Sequence, residues 1–362
     1  MVLTQRLKSL YQRYERWVPI VFFLLGFLFD AVMLGSIDDP KAIAQQVLYL
    51  VLIAAILSYD FLFEANAYQP GPRLAKVWRY REAFLHFIMG TLMNVYSIFY
   101  FKSASLLTSL IFVGVLTIVL VLNEFVRFGK SQRAVHVALF SLCLISFFIY
   151  IVPMVLGFIG VGPFLGAVAA SVLCFLPLYR FLKRRLGERF IPLRSQLVLP
   201  FLGIQLVFAL LYFFKAIPPV PLSTSYIGIF HNIERNEETF RLFHMRPWWR
   251  IWETGDQTFY ARTGDMIYCF AQLFSPTGFK DDLLVRWLYK DQRGWHPSDA
   301  IPMQITGGRR EGYRGVTFKS NYQPGKWRVQ IETSDGREVG RIQLWVINDD
   351  GTTDRQFAIE QH

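Results

Sequence analysis

The sequence predicts a polytopic α-helical membrane bundle of seven spans followed by an all-β exterior domain, an antiparallel β-sandwich of immunoglobulin-like plan. Three observations carry this reading. The composition is 53% hydrophobic and 17% aromatic with positive mean hydropathy, above an ordinary soluble domain. Up to Phe214 the apolar residues form runs of about 20, the length a helix needs to cross the hydrocarbon core. After Tyr226 the pattern becomes short alternating segments separated by Gly, Asp and Asn turns, as antiparallel strands require.

Seven spans are expected, at Trp17 to Ile37, Ala44 to Phe63, Ala83 to Phe101, Ala104 to Phe125, Val135 to Phe158, Val161 to Leu182 and Leu197 to Phe214. Every second connecting segment is basic. Four of these segments hold seventeen Lys/Arg, whereas the three intervening loops hold only Lys41 and Lys102. The positive-inside rule then predicts a cytoplasmic N-terminus and, after seven crossings, an exterior C-terminal half. Because most of the net +11 charge lies in these loops, it orients the membrane part and gives no sign of nucleic-acid binding. The first span is too long for a signal-peptide apolar region and no A-x-A site follows it, so it is expected to be retained.

Ionisable residues within lipid are costly, which makes each one informative. Asp30 and Asn94 lie at similar depth in the first and third spans, where they could pair. Asp60, Glu64, Glu82, His86, Glu124 and His136 gather toward the cytoplasmic ends, within reach of loop arginines. An ion or proton path and a set of interhelical clamps both fit this distribution. Gly162, Gly166 and Ala170 form a small-xxx-small stripe on the sixth span that could admit a neighbouring helix of the same or another chain. Pro153, Pro177 and Pro200 are expected to kink their spans.

The domain boundaries follow from these patterns: residues 1–216 for the bundle, 217–223 for a proline-rich tether, 224–348 for the sandwich and 349–362 for a C-terminal tail. Pro218, Pro219 and Pro221 predict a short extended stalk. In KWRVQIE, Trp327, Val329 and Ile331 alternate with charged and polar neighbours. A turn at Ser334, Asp335 and Gly336 leads to a return strand through Ile342, Leu344 and Val346, which makes a hairpin. Val285, Trp287 and Tyr289 mark another strand that turns near Arg293 and Gly294. Val316 with Phe318, Met266 to Phe274, and Tyr226 to Phe230 supply others, for seven or eight strands in all.

The segments IPPVPLSTSYIGIFHNIER, WLYKDQRGW, ITGGRREGYRGVTFKS, GKWRVQIETSDGREVGR and the closing LWV resemble the C-terminal domain of a bacterial family, domain of unknown function 2914 (DUF2914). The resemblance runs from about Ile217 to Ile347. It implies a bacterial envelope protein; combined with the predicted orientation, the expectation is an inner-membrane protein with its C-terminal domain in the periplasm. It brings no activity and no catalytic residues.

The residues themselves carry no catalytic, cofactor or metal signature. One cysteine, Cys269, is left in the second half, and His231, His244 and His296 are scattered along it. Gly307 and Gly308 read as a turn. Seven of the nine tryptophans lie in the second half, with Trp248, Trp249 and Trp252 grouped in RPWWRIW. Sugar stacking, core packing and docking at lipid headgroups or bundle loops are the competing uses of this group. Arg309, Arg310 and Arg314 form a second patch, suited to an anionic lipid or polymer or simply to solvent. The expected function is therefore non-enzymatic: a sandwich that binds a partner protein or envelope glycan, held by a bundle that contacts membrane lipids and joins a larger assembly. The alternative is a transporter or exterior-ligand receptor with a polar path through the bundle.

Overall fold

The computed structural model describes residues 37–69, 71, 75–76, 78, 81–105, 111–116, 132–236, 239–306, 312–351 and 354–362. Asp30, Glu124, Gly307, Gly308, Arg309 and Arg310 lie outside them, as do nearly all of the first expected span and most of the fourth. The described helices are α1 (Pro40–Glu64), α2 (Arg81–Ser103), α3 (Gln132–Leu156), α4 (Val161–Leu186) and α5 (Phe190–Phe213). They match the second, third, fifth, sixth and seventh expected spans. Among the described residues, four stretches are long and apolar enough to cross a membrane, the last of which, Val161–Phe213, contains both α4 and α5.

Local chemistry fixes the helix ends. Pro40 opens α1, where a missing N–H costs nothing, and the Asp39 carboxylate accepts a hydrogen bond from the Lys41 amide at 3.0 Å. Pro153, Pro177 and Pro200 each sit inside a helix that continues past them.

The chain divides into two compact units. The first comprises Met1–Ile98, Val113–Leu144 and Cys174–Gln205. Within it Phe175 stacks on Phe201 at 3.8 Å between ring centroids, and the buried Ser141 hydroxyl donates to the Phe201 carbonyl while accepting from Gln205. Arg81 pairs with Asp60 at 2.9 Å and Arg133 with Glu64 at 2.8 Å, the clamps that loop arginines were expected to supply. His86 and His136 meet edge to face, with centroids 5.3 Å apart. Asn94 lies half-buried on α2.

The second unit joins Phe99–Phe112 and Ile145–Leu173 to everything from Leu206 onward. Among the described residues it holds eleven strands: β1 (Ser223–Phe230), β2 (Asn232–Asn236), β3 (Thr239–His244), β4 (Thr258–Ala261), β5 (Ile267–Phe274), β6 (Lys280–Asp291), β7 (Gly294–Thr306), β8 (Tyr313–Lys319), β9 (Gly325–Thr333), β10 (Glu338–Asn348) and β11 (Ala358–Gln361). They form three sheets, β1-β5-β8, β4-β10-β9-β6-β7 and β11-β3-β2. One core is built from the first two sheets, with Ile229, Cys269 and Leu273 on one side and Phe259, Trp287, Trp327, Val329, Ile331 and Leu344 on the other. A smaller cluster of Phe230, Leu242 and Phe270 covers the opposite face of β1 and β5 with the third sheet.

Four expectations change here. The strands number eleven among the described residues, not seven or eight. β4 runs parallel to β10, so the domain is not wholly antiparallel. The C-terminal tail carries β11, which pairs with β3. The proline segment is no extended stalk. Ile217, Val220 and Leu222 are buried, and the amides of Val220 and Leu222 bond back to Pro218 and Pro219 in a compact turn. Prolines suit such a turn because their fixed φ restricts the unfolded chain and they leave no amide donor to bury.

Around this turn the strands meet the helix ends of the same unit. The Tyr212 hydroxyl donates to Asp335 at 2.9 Å, and the Arg337 guanidinium lies 4.4 Å above the Tyr212 ring. Lys215 donates to the Gly336 carbonyl and Ser105 to that of Glu338. Asp281 accepts from the Ile159 amide, and the Lys280 amide donates to the Gly157 carbonyl. These bonds fall at the start of β6 and at the β9–β10 turn, which defines the helix-side end of the sandwich.

The small-residue stripe on α4 serves the same chain at one position: a Cβ on Gly166 would stand 3.4 Å from Val152 of α3, whereas at Gly162 it would meet nothing.

Candidate functional site

The RPWWRIW loop joins β3 to β4, and strand register locates it. Gly255 bridges Ile229, and the Asp256 amide donates to the Ile229 carbonyl at 2.7 Å. Ile229 lies six residues along β1 from Ser223, about 20 Å at ~3.3 Å per residue. Thr258, just past the loop, pairs with Trp345, seven residues along β10 from Glu338 and hence about 23 Å away by the same rise. The loop therefore sits at the end of the sandwich opposite the helix-side bonds. This corrects the expectation that the tryptophans pack on loops at the helix-side end.

Core packing is excluded as well. Trp248 is 89% exposed, Ile251 83%, Trp252 69% and Trp249 51%. The core tryptophans are Trp287 and Trp327. Two short turns shape the loop, with Arg250 bonding back to Pro247 and Glu253 to Arg250. Trp249 and Trp252 lie 6.0 Å apart in tilted contact, and the Arg250 guanidinium sits 5.0 Å over Trp249. Four large apolar side chains held in solvent on a turn-rich loop form a patch of the kind that marks an interaction surface. Beneath them a pocket of about 120 Å³ is lined by Arg246, Arg250, Glu253, Asp256, Thr258 and Tyr260, among others.

One of the pocket's lining residues, Asp256, belongs to a buried Asp–His pair that sequence reasoning missed. Both Asp256 carboxylate oxygens accept from the Met245 amide, at 2.9 and 3.0 Å. His231 Nε2 lies 3.6 Å from Oδ2, and its ring stacks on Phe259 at 4.0 Å. Burial pushes the Asp256 carboxyl up to about 7, against the Met245 amide bond that favours its charged form. Burial and the Arg355 guanidinium push His231 down to about 4. For both groups burial is the largest cause, and it disfavours the charged form of each. No spacing in the sequence announces it, since the partners are separated by 25 positions and meet only because Gly255 lies on Ile229.

The other candidates do not converge on this loop. Arg314 lies on β8, and His296 pairs with Asp291 at 2.9 Å. His244 is buried beside Phe230. No group of three or more His, Cys, Asp or Glu suited to a metal ion occurs among the described residues. Cys143, Cys174 and Cys269 are free thiols, and burial pushes the Cys269 thiol up to about 12, away from the reactive thiolate.

The class defined by these features is a chain of several apolar helices followed by an all-β domain whose far end bears an exposed aromatic loop. Residues 280–346, from β6 into β10, match the family described as protein of unknown function DUF2914. This is a shorter stretch than the sequence resemblance covered, and it begins after the aromatic loop. No curated protein matches the chain. Among solved structures, an immunoglobulin-like protein from Pseudomonas aeruginosa is similar at 13% identity and a TM-score of 0.20, over 34% of this chain and 98% of that one. A β-glucosidase from Listeria innocua in complex with glucose is similar at 10% identity and a TM-score of 0.21, over 35% of this chain and only 16% of that one.

Proposed function

We propose that this protein is a non-enzymatic component of a bacterial inner membrane. Seven spans hold the N-terminus in the cytoplasm and display the β-domain in the periplasm, where the RPWWRIW loop binds a partner protein or an envelope polymer. The observation that carries the reading is the placement of Trp248, Trp249 and Trp252 in solvent at the end of the sandwich remote from its helix-side bonds. A loop so placed is presented outward. The alternation of basic and charge-poor loops supports the orientation, and the bonds from Tyr212, Lys215 and Ser105 support a domain held at a fixed height. Open space at Gly162 leaves room on α4 for a neighbour in a larger assembly.

A second reading, transport or reception through a polar path, draws on one feature of the first unit. His136 is buried with both ring nitrogens lacking a hydrogen-bond partner, next to His86. Unpaired polar atoms within an apolar bundle are costly and mark a place where a proton or ligand could be taken up.

Reporter fusions after His362 test the orientation. Alkaline phosphatase, which is active only outside the cytoplasm, is expected to be active there, and a fluorescent reporter that matures only inside is expected to stay dark. The reverse pattern overturns the proposed display.

A further inference from the structure

A single row of side chains crosses all five strands of the large sheet. The register sets Thr258 beside Trp345, Trp345 beside Lys326, Lys326 beside Lys290 and Lys290 beside Trp295. Strand alternation points this row away from the core, because the flanking Trp327, Leu344 and Val346 are buried inside. Trp345 keeps 53% of its surface open. With strands about 4.8 Å apart, the two tryptophans stand three spacings, roughly 14 Å, from one another.

Two lysines directly opposite each other on neighbouring strands are mutually destabilising, yet neither forms an ion pair among the described residues. Each lies instead against a tryptophan, Lys326 at 5.6 Å from the Trp345 ring and Lys290 at 5.9 Å from Trp295. Arg328, in the adjoining row beside Gln343 and Leu288, covers Trp295 at 4.0 Å, and its buried Nε has no hydrogen-bond partner. Nearer the helix-side end the same face is neutralised: Arg286 pairs with Glu332 at 2.7 Å and Arg341 with Glu338. Among the described residues, the strip bounded by the two tryptophans thus gathers Lys326, Lys290 and Arg328 without an ion-pair partner.

We propose that this strip binds a segment of anionic polysaccharide, with a sugar ring laid on Trp345 and acidic groups on Lys326, Lys290 and Arg328, the last two braced by Trp295. The inference rests on the reading of the β-domain as a binding module but concerns the sheet face that adjoins the RPWWRIW loop, with other side chains. Charge complementarity selects an anionic ligand. The open aromatic surface of Trp345 at one end of the row selects one with apolar ring faces, which an inorganic polyanion lacks.

The test uses the full chain in nanodiscs of neutral lipid and three probes: alginate oligosaccharide, dextran as an uncharged glycan, and polyphosphate as a polyanion without sugar. Alginate is expected to bind at least tenfold more tightly than either of the others, and raised salt is expected to weaken it. Trp345→Ala and Lys326→Ala should each weaken alginate binding tenfold or more, while Lys326→Arg retains it. The triple variant Trp248→Ala, Trp249→Ala, Trp252→Ala reads the loop separately: the tenfold loss on Trp345→Ala should be the same in that background as in the parent. No alginate binding, polyphosphate binding equal to alginate, or indifference to Trp345→Ala and Lys326→Ala overturns the inference. Loss in the triple variant alone would also overturn it by moving the ligand to the loop, leaving the proposed function standing.

Discussion

Gly255→Ala should unseat the aromatic loop while the rest of the sandwich stays folded. Gly255 adopts φ +65°, a left-handed conformation that costs an L-residue roughly 1–2 kcal/mol. The added Cβ would also fall on the Ile229 backbone, with its carbonyl oxygen, nitrogen and carbon all within contact distance. Backbone at the end of a paired strand cannot swing aside as a flexible side chain would, so the loop must move. The Asp256 amide then leaves the Ile229 carbonyl, and the Asp256 carboxyl loses the position from which it accepts from Met245. Each such bond contributes about 1 kcal/mol, which brings the local loss to about 3 kcal/mol. Hydrogen exchange at the Met245 and Asp256 amides is expected to accelerate on the order of a hundredfold, with the core strands β6 and β9 unaffected. Equal protection in variant and parent would show that Gly255 does not hold the loop.

Asp335→Ala is expected to release the β9–β10 turn from the helix end of its own unit. Asp335 accepts from Thr333, Arg337 and Tyr212, and Arg337 is only 5% exposed. Removing the carboxylate leaves a buried guanidinium without its counter-charge, a change that costs about 3–5 kcal/mol in comparable pairs. The pH dependence follows from the same contacts. Burial raises the Asp335 carboxyl, but Arg337 and the hydroxyls of Thr333 and Tyr212 outweigh it and hold the group below the ordinary carboxylate range. A lowered folded value stabilises the domain fully above the unfolded value of about 4 and loses that contribution as pH falls through the folded value. Acid should therefore loosen the turn in the parent and produce no such step in Asp335→Asn, which keeps the shape without the charge. Proteolysis at residues 333–338 reads both effects, and a variant as resistant as the parent would contradict the account.

The legible parts of this fold were those written in local periodicity. The β9–β10 hairpin shows its alternation in KWRVQIE and its turn in Ser334, Asp335 and Gly336, and the structure pairs Val329 with Ile342 as that pattern requires. The described helices fall on five expected spans because twenty consecutive apolar residues leave few other folds open. What sequence could not give was register between distant segments. The parallel pairing of the four-residue β4 with β10, and β11 in what reads as a tail, depend on partners far along the chain. The prolines at 218, 219 and 221 fit an extended stalk and a buried turn equally well, and packing of Val220 and Leu222 decided for the turn.

The site divides in the same way. RPWWRIW stands out by composition alone, and its three tryptophans are grouped in the structure as they are in the sequence. Its position opposite the helix-side bonds depends on one long-range contact, Ile229 with Gly255, that nothing local announces. The same contact creates the Asp256–His231 pair, so both omissions have a single cause. The Trp–Lys–Lys–Trp row is likewise invisible until four strands are put in register.

Site-specific photo-crosslinking tests the central claim, that the loop at the far end of the sandwich engages a partner or polymer. A benzophenone amino acid is placed at Trp248 in the full chain, in living cells, with the exposed Glu234 as the control position. The account predicts a discrete adduct of protein or glycan from Trp248, lost when Trp249 and Trp252 are both changed to alanine, and none from Glu234. No adduct at Trp248, or the same adducts from both positions, would contradict it.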